Sequence, residues 1–516
     1  MRHISYNILL KITGIVAIAT IFTATLSLLP HLNLHYSVFA YLCGLGVVMN
    51  AVFFTYFTIV NIHSSSPAQI EQLSSETPEV AVIIPIYNEN IYFLKETVDS
   101  IVQQDYPVDK IKLFIANDAH REEIATFTTI VQSAYPKLSC YHVLPPPKDS
   151  PNREGEAKAG ALNAAWREVR NLFPDIKYIE TRDCDDCVGD PQFLRKCTTY
   201  LSNHPTVGLV QTYKETQLAD VSDPFDTQEV FLQSYVLPGK ISLGGVFSLG
   251  SGAVYRQQAL VDAGGFDAWN MVEDVTTTVR ILQKGWTSQA LDLVGVSTQA
   301  PVTDLENFLK QRSVWSLDAL RLVFFADLSG LSLKQRLAFC TKGIKELLYP
   351  TSVFILNVAI AISLIIGEPM FLSVPPITIV AIAAMALFEL VTLKGNIIFG
   401  WKHKTLELAL LFANIKMVWV AIVNGKNKKP KYVVTRKTAK HQSYLRYCRL
   451  HIALLILLLM GLIRVLITGI ALEHSIFFVA AIYWSIRLLD VMRLALYQPR
   501  PKDTSIDVNK NTQLIT

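Results

Sequence analysis

The chain has 516 residues, of which 51% are hydrophobic and 17% charged. That is too apolar for an ordinary soluble enzyme and too charged for a bare membrane bundle. The formal net charge of +4 sits largely in short basic loops and gives no case for nucleic acid binding.

Two long apolar runs come first, at residues 8–29 and 36–60, each able to cross the roughly 30 Å hydrocarbon core as a helix. The first follows Arg2 and contains Lys11. It is longer than a signal-peptide core and a second span follows closely, so it is expected to be retained. Further spans are predicted at 347–366, about 373–393, 450–472 and 475–496. Residues 405–423 are interrupted by Glu407, Asn414 and Lys416 and read as an amphipathic helix on the membrane surface. The six-span topology has outer connections at Pro30–His35, Gly367–Phe371 and Leu472–His474, all without Lys or Arg. The inner loops hold Lys402, Lys404, Lys426, Lys428, Lys429, Lys431, Arg436, Lys437, Lys440, Arg446 and Arg449. Positive charge therefore predicts an integral protein of the inner (plasma) membrane, with the central region and both termini cytoplasmic.

Residues 75–300 alternate in strand and helix character. Val80–Ile86 and Ile111–Ala116 are apolar runs suited to strands buried on both faces, and Lys177–Thr181, Thr206–Gln211 and Gly252–Tyr255 are shorter candidates. The rhythm predicts an α/β domain with a mostly parallel sheet and helices on both faces, inserted between membrane helices. Ligands of such sheets bind outside the carboxyl ends of the strands, where Asn88/Glu89, Asp118 and Asp183/Asp185 fall. Any one of these carboxylates reads equally well as a solvated loop residue; three successive strands ending this way point to a shared rim. The tail beyond Gln498 is polar and is expected to be disordered.

Asp183-Cys184-Asp185 sets two carboxylates two residues apart, an arrangement of hard oxygens suited to Mg2+, or Mn2+, held together with substrate phosphates. Cys184 and Cys187 form a C-x-x-C, but no second Cys/His pair completes the four ligands of a structural zinc site. Lys158-Ala159-Gly160 opens a helix with small residues that let a ligand approach the backbone. Glu273-Asp274 stands at a helix start after the turn Gly264-Gly265, placed either to complement the helix dipole or to serve as a general base. Trp315 in Gln311-Arg312-Ser313-Val314-Trp315 is an interfacial anchor or a platform for a sugar ring. Tyr432–Lys437 is a basic segment between an interfacial stretch and a span, read as a topology determinant or as a lid over a phosphorylated substrate.

Taken in order, IPIYNE at 84–89, ND at 117–118, KAGALN at 158–163, DCD at 183–185, GSGAVYR at 250–256, VED at 272–274, QRSVW at 311–315 and YVVTRK at 432–437 resemble the processive, inverting family 2 glycosyltransferases of the cellulose synthase type. The resemblance covers about residues 80 to 440. It implies a GT-A catalytic domain, a UDP-sugar donor, Mg2+-dependent inverting transfer and a channel through the spans for the polymer. It implies that Tyr87, Glu89, Asp118, Lys158, Asp183, Arg312, Thr435 and Lys437 bind the nucleotide sugar, and that Asp183 and Asp185 hold the metal. Asp274, with Glu273, would be the base, while Gly250, Ser251, Gln311 and Trp315 would meet the acceptor. The alternatives are transfer to a lipid or short acceptor, synthesis of a mannan, hyaluronan- or chitin-like polymer, and a scaffold without turnover. One departure stands out: the motif carries an arginine where this chain has Val314, a residue that would help neutralise the leaving diphosphate, and Arg312 and Arg436 are the cations considered in its place. Accessory export or regulatory subunits are expected partners, and cyclic-di-GMP control would need a separate protein.

Overall fold

The computed structural model describes residues 2–70, 72–218, 222–429, 443–469 and 475–498. The basic segment at 432–437 and the tail beyond Gln498 thus lie outside the described residues.

Two antiparallel apolar helices, α1 (Arg2–Leu28) and α2 (Ser37–Asn61), lead into the central domain. Its elements follow as β1 (Val80–Ile86), α3 (Ile91–Val102), β2 (Ile111–Asn117), α4 (Glu122–Ala134), β3 (Ser139–Val143), α5 (Ala157–Leu172), β4 (Tyr178–Thr181) and β5 (Asp186–Val188). Next come α6 (Phe193–Asn203), β6 (Val207–Thr216), α7 (Leu237–Ser242), β7 (Ala253–Arg256), α8 (Gln257–Ala263), α9 (Asp274–Gln283), β8 (Thr287–Thr298) and α10 (Leu305–Phe325). The second apolar block is α11 (Leu333–Ile366), α12 (Pro376–Thr392), α13 (Ile397–Ala409), α14 (Leu411–Asn424), α15 (Arg449–Thr468) and α16 (Ser475–Leu496).

The eight strands form one sheet in the order β3-β2-β1-β4-β7-β6-β8-β5. β1 explains the two-sided burial: Val80, Val82, Ile84 and Ile86 face one core with Leu94 and Val98 of α3 and Phe127 of α4. Ala81 and Ile83 face the other, with Ala161, Ala165 and Val169 of α5. Strand alternation thus feeds two helical layers. The sheet is mixed: β1–β2, β1–β4, β2–β3 and β6–β8 are parallel, whereas β7 runs antiparallel to β4 and β6, and β5 to β8. β3, β5 and β8 are strands the sequence reading passes over. Chain order reverses between β2 and β4 on either side of β1, which makes a crevice at the carboxyl ends of these strands. Tyr87, Asp118 and Asp183 all leave the sheet at that crevice.

Five helices, α1, α2, α11, α15 and α16, are long and apolar enough to cross a membrane, and α12 with α13 adds a sixth span if that pair, bent by 108°, is counted as one. Leu9, Ile12, Ile15 and Phe22 on α1 and Ile463, Leu466 and Ile467 on α15 are exposed, as on a lipid-facing surface. α14, at 14 residues, falls short of the roughly 20 residues a span requires. The connections Pro30–His35 and Gly367–Phe371 meet: Asn33 donates from its backbone to Met370 O at 2.8 Å and from its side chain to Pro369 O at 2.9 Å. Two of the three connections without Lys or Arg therefore share one end of the bundle, and the third, Leu472–His474, lies outside the described residues.

Candidate active site

The crevice is built by buried groups beneath it. Arg182, fully buried, pairs with Glu180 at 2.6 Å and donates to the carbonyls of Asp186, Cys187 and Gly295. These bonds fold the chain from β4 back towards β5, and the backbone N–H of Asp186 closes the turn on Asp183 O at 3.1 Å. Asp183 and Asp185 therefore sit on a short, braced loop.

Lys158 projects from the first turn of α5. Its ammonium lies 2.5 Å from Asp183 Oδ1, 2.9 Å from Gly250 O and 3.8 Å from Glu273 Oε1. Burial opposes its charge, but the carboxylates of Asp183, Glu273 and Asp274 hold its pKa above the usual lysine value. Gly160 lets the start of α5 pack on the preceding turn, since a Cβ there would fall 2.3 Å from Gly155 O. Gly250, at φ +82°, lets the opposite wall come equally close: a Cβ there would stand 3.2 Å from Lys158 Nζ and 3.4 Å from Asp274 Oδ2. Ser251 Oγ accepts the backbone N–H of Asp183 at 3.1 Å.

Asp274 begins α9, and Glu273 beside it is almost wholly buried. Burial, then the Glu273 charge, push the Asp274 carboxyl up to about 8; burial likewise raises Glu273 against the lowering field of Lys158. A carboxylate poised near neutrality is suited to take a proton from a hydroxyl. The pair is aimed from behind by α10: Asp318 accepts the backbone N–H groups of Met271 and Val272 at 3.1 and 2.8 Å. Arg321, on the next turn, binds Asn270 and the carbonyls of Gly425, Lys426 and Lys428, bringing the chain that precedes the 432–437 segment to the same loop.

On the β1 and β2 side, Glu89 accepts the backbone N–H of Tyr87 at 2.8 Å, and Lys148 lies over the Tyr87 ring at 4.5 Å. Asp118 is held by Arg153 at 2.7 Å, an ion pair closed from solvent. Two cations lie against the Trp315 ring, Arg312 at 4.4 Å and Lys342 at 5.1 Å from its centre. Gln311 lies one turn before it on α10. Arg312 itself reaches the Asp226–Glu229 loop, with Glu229 at 3.8 Å. The structure thus brings Lys158, Asp183, Gly250, Ser251, Glu273 and Asp274 together. Thr435 and Lys437 fall outside the described residues. Arg153, Arg182 and Asp318 were not picked out from sequence; only the first could have been suspected, from the Gly155 turn before α5.

Among the described residues no group of three or more His, Cys, Asp or Glu is placed to hold a metal ion. A two-carboxylate loop beside an open crevice fits a divalent cation that arrives with a diphosphate, because Mg2+ takes one or two carboxylates and completes its shell with waters and phosphate oxygens.

A family model described as "Glycosyltransferase like family 2" matches residues 78–317. A cellulose synthase 1 catalytic subunit of Komagataeibacter xylinus is 24% identical over 372 residues, covering 68% of this chain and 46% of that protein. A cellulose synthase catalytic subunit of Pseudomonas fluorescens is 24% identical over 381 residues, covering 70% of this chain and 48% of its own length. The chain thus spans less than half of these relatives. Among solved structures, a mannosyltransferase of Pyrobaculum calidifontis in complex with GDP-Man and Mn2+ aligns with TM-score 0.52 at 18% identity, covering 73% of this chain and 99% of that one. The fold of the central domain is GT-A, and the chain is similar in sequence to bacterial cellulose synthase catalytic subunits.

Proposed function

Starting from the family 2 glycosyltransferase domain at 78–317, we propose that the chain is a membrane-embedded processive synthase that transfers glucose from UDP-glucose to the end of a growing β-glucan, with inversion, and passes the polymer across the membrane. The observation that carries this reading is the convergence of Lys158, Asp183, Gly250 and the Glu273-Asp274 pair at the carboxyl rim of a GT-A sheet.

In this scheme Tyr87, Glu89 and Asp118 line the nucleoside end of the crevice, with Arg153 fixing Asp118. Asp183 and Asp185 hold Mg2+, which would supply positive charge to the departing diphosphate. Asp274 takes the proton of the acceptor hydroxyl as that oxygen bonds to the sugar C1. The bond from C1 to the diphosphate breaks on the opposite face, and the configuration inverts. Trp315 offers a flat face to the acceptor sugar, next to Gln311, while Gly250 and Ser251 line the acceptor site beside Asp274. Thr435 and Lys437 close over the nucleotide. The catalytic domain faces the cytoplasm of an inner membrane, as the Lys and Arg distribution favours.

The test is incubation of purified membranes with labelled UDP-glucose, UDP-N-acetylglucosamine and GDP-mannose, with and without excess EDTA. The expected outcome is an EDTA-sensitive polymer from UDP-glucose that a β-glucan-specific hydrolase degrades. Polymer from another donor would reassign the sugar, and a lipid-linked or short product would overturn processivity. No transfer from any donor would favour a scaffold.

A further inference from the structure

Val314 leaves the departing diphosphate without the arginine that the resembling motif carries at that position. The neighbouring cations each have partners of their own. Arg312 is committed to Glu229, Asp226 O and the Trp315 face. Lys158 is committed to Asp183 and Gly250 O. A further lysine approaches the same loop from the other side. Lys214, near the end of β6, places Nζ 3.2 Å from Asp186 Oδ2, the residue that follows the Asp183–Asp185 pair directly.

Its position is tightly specified. Gln233 grips the Lys214 backbone at both poles, accepting its N–H at 3.0 Å and donating to its carbonyl at 2.7 Å. Two and three residues earlier on the same strand, Thr212 and Gln211 hold the 249–252 turn, through Gly252 O at 2.9 Å and Ser251 O at 3.1 Å. β6 therefore joins the 249–252 turn, through Gln211 and Thr212, to the Asp183–Asp186 loop, through Lys214. Asp183, Asp185 and Glu229 add their charges to that of Asp186, keeping the ammonium protonated against the cost of burial. Asp186 is also engaged by Thr298 at 2.5 Å, so it does not depend on Lys214 alone.

We propose that Lys214 is the group that takes up the charge of the leaving diphosphate in this chain, doing from β6 what an arginine at position 314 would do from α10. The inference rests on the proposed glycosyl transfer. As the C1–O bond breaks, its electron pair stays on the β-phosphate oxygen of UDP, and the acceptor proton goes to Asp274. Lys214 remains an ammonium throughout and meets the new negative charge. Such a contact grows stronger in the transition state than in the ground state, so its loss falls on kcat more than on KM.

The experiment compares wild type, Lys214→Met, Lys214→Arg and the double variant Lys214→Met/Val314→Arg in reconstituted membranes. Lys214→Met is expected to lower kcat about 100-fold with KM for UDP-glucose within about threefold, in the range found for single transition-state charge donors. Lys214→Arg should keep at least about a tenth of the wild-type rate, and Val314→Arg should return about tenfold to the methionine variant. Wild-type kcat in Lys214→Met would overturn the inference. So would a loss that neither arginine restores, which would make Lys214 a brace for Asp186. Should Lys214→Met fail to fold, Val314→Arg in the wild-type background decides: a gain under about twofold is expected where Lys214 already supplies the charge, and a tenfold gain would overturn it. UDP binding with Mg2+, read by tryptophan fluorescence, needs no turnover; about tenfold weakening is expected in Lys214→Met. Equal binding in the two proteins sinks the role of Lys214, whereas a wild type that binds UDP normally yet transfers no sugar sinks the proposed function.

Discussion

Lys158 donates to Asp183 across 2.5 Å, and the same ammonium stands 3.8 Å from Glu273, so one cation joins the carboxylate turn after β4 to the acidic pair that begins α9. This link sets the pH behaviour of the proposed base. Lys158 lowers the pKa of Asp274, while burial and Glu273 raise it to about 8. Replacing Lys158 with Met removes the lowering influence together with the bonds to Asp183 and Gly250 O. The alkaline-rising limb of the rate profile should then move to higher pH, and the rate at pH 7.5 should fall about 100-fold. A pH–rate profile of Lys158→Met with its midpoint unchanged would separate Lys158 from Asp274.

Asp274→Asn should abolish transfer and at the same time stabilise the fold. Because the folded pKa of about 8 lies above the ordinary aspartate value, the native state holds a proton that the unfolded chain releases between about pH 4 and 8. Wild-type stability from this group therefore declines as pH rises through that window and levels off above it. Asparagine carries no such penalty. With the side chain partly open to the crevice, the gain is on the order of 1–2 kcal/mol at pH 8 and vanishes near pH 4. Thermal unfolding in detergent at three pH values reads it. A variant less stable than wild type at pH 8 would contradict the burial of an ionisable base.

How much of this was open to reading from sequence depends on the range of each interaction. β1 and β2 declare themselves because burial on both faces demands unbroken Val, Ile and Leu. β8, with Asp292 and several Ser and Thr, hides its pairing with β6 and β5 until the sheet assembles. DCD and VED are legible as local patterns. Their union is not, because Lys158, Asp183, Gly250 and Glu273 are drawn from four separate connections. Arg182 looks like any loop cation beside two aspartates; only tertiary folding buries it on Glu180 and three carbonyls. Arg312 has partners that its motif position does not reveal, Glu229 and the Trp315 ring.

Arg182→Leu should unfold the domain before it affects chemistry. Removing the guanidinium leaves the Glu180 carboxylate buried without its partner and three carbonyls without their donor. Breaking a buried pair from one side costs about 3–5 kcal/mol. The double variant Arg182→Leu/Glu180→Leu should regain part of that loss, since no lone charge stays behind. Expression and thermal stability of the two proteins check this. A single variant as stable as wild type would show that the Asp183–Asp185 turn does not lean on Arg182.

The last prediction concerns the segment at 432–437. Arg321, buried in α10, ties the carbonyls of Gly425, Lys426 and Lys428 to Asn270, and Lys429 donates to Ala268 O at 2.8 Å. The chain that leads into the segment is therefore anchored three to five residues from Glu273, at the edge of the crevice. In the proposed lid role, closing over a bound diphosphate would exclude water and strengthen the contacts of Lys437. Departure of UDP would remove the attraction and release the segment once per added sugar. Thr435→Ala combined with Lys437→Ala should cut turnover at least about tenfold while membrane insertion is unchanged. If the segment served topology alone, positive charge would be all that mattered: Lys437→Arg and Thr435→Ala would both be silent. Single-turnover kinetics separates the two readings, because a lid acts on the bound complex and a topology signal acts only on how much protein reaches the membrane. Wild-type turnover in the double alanine variant would leave the topological role standing and remove the lid.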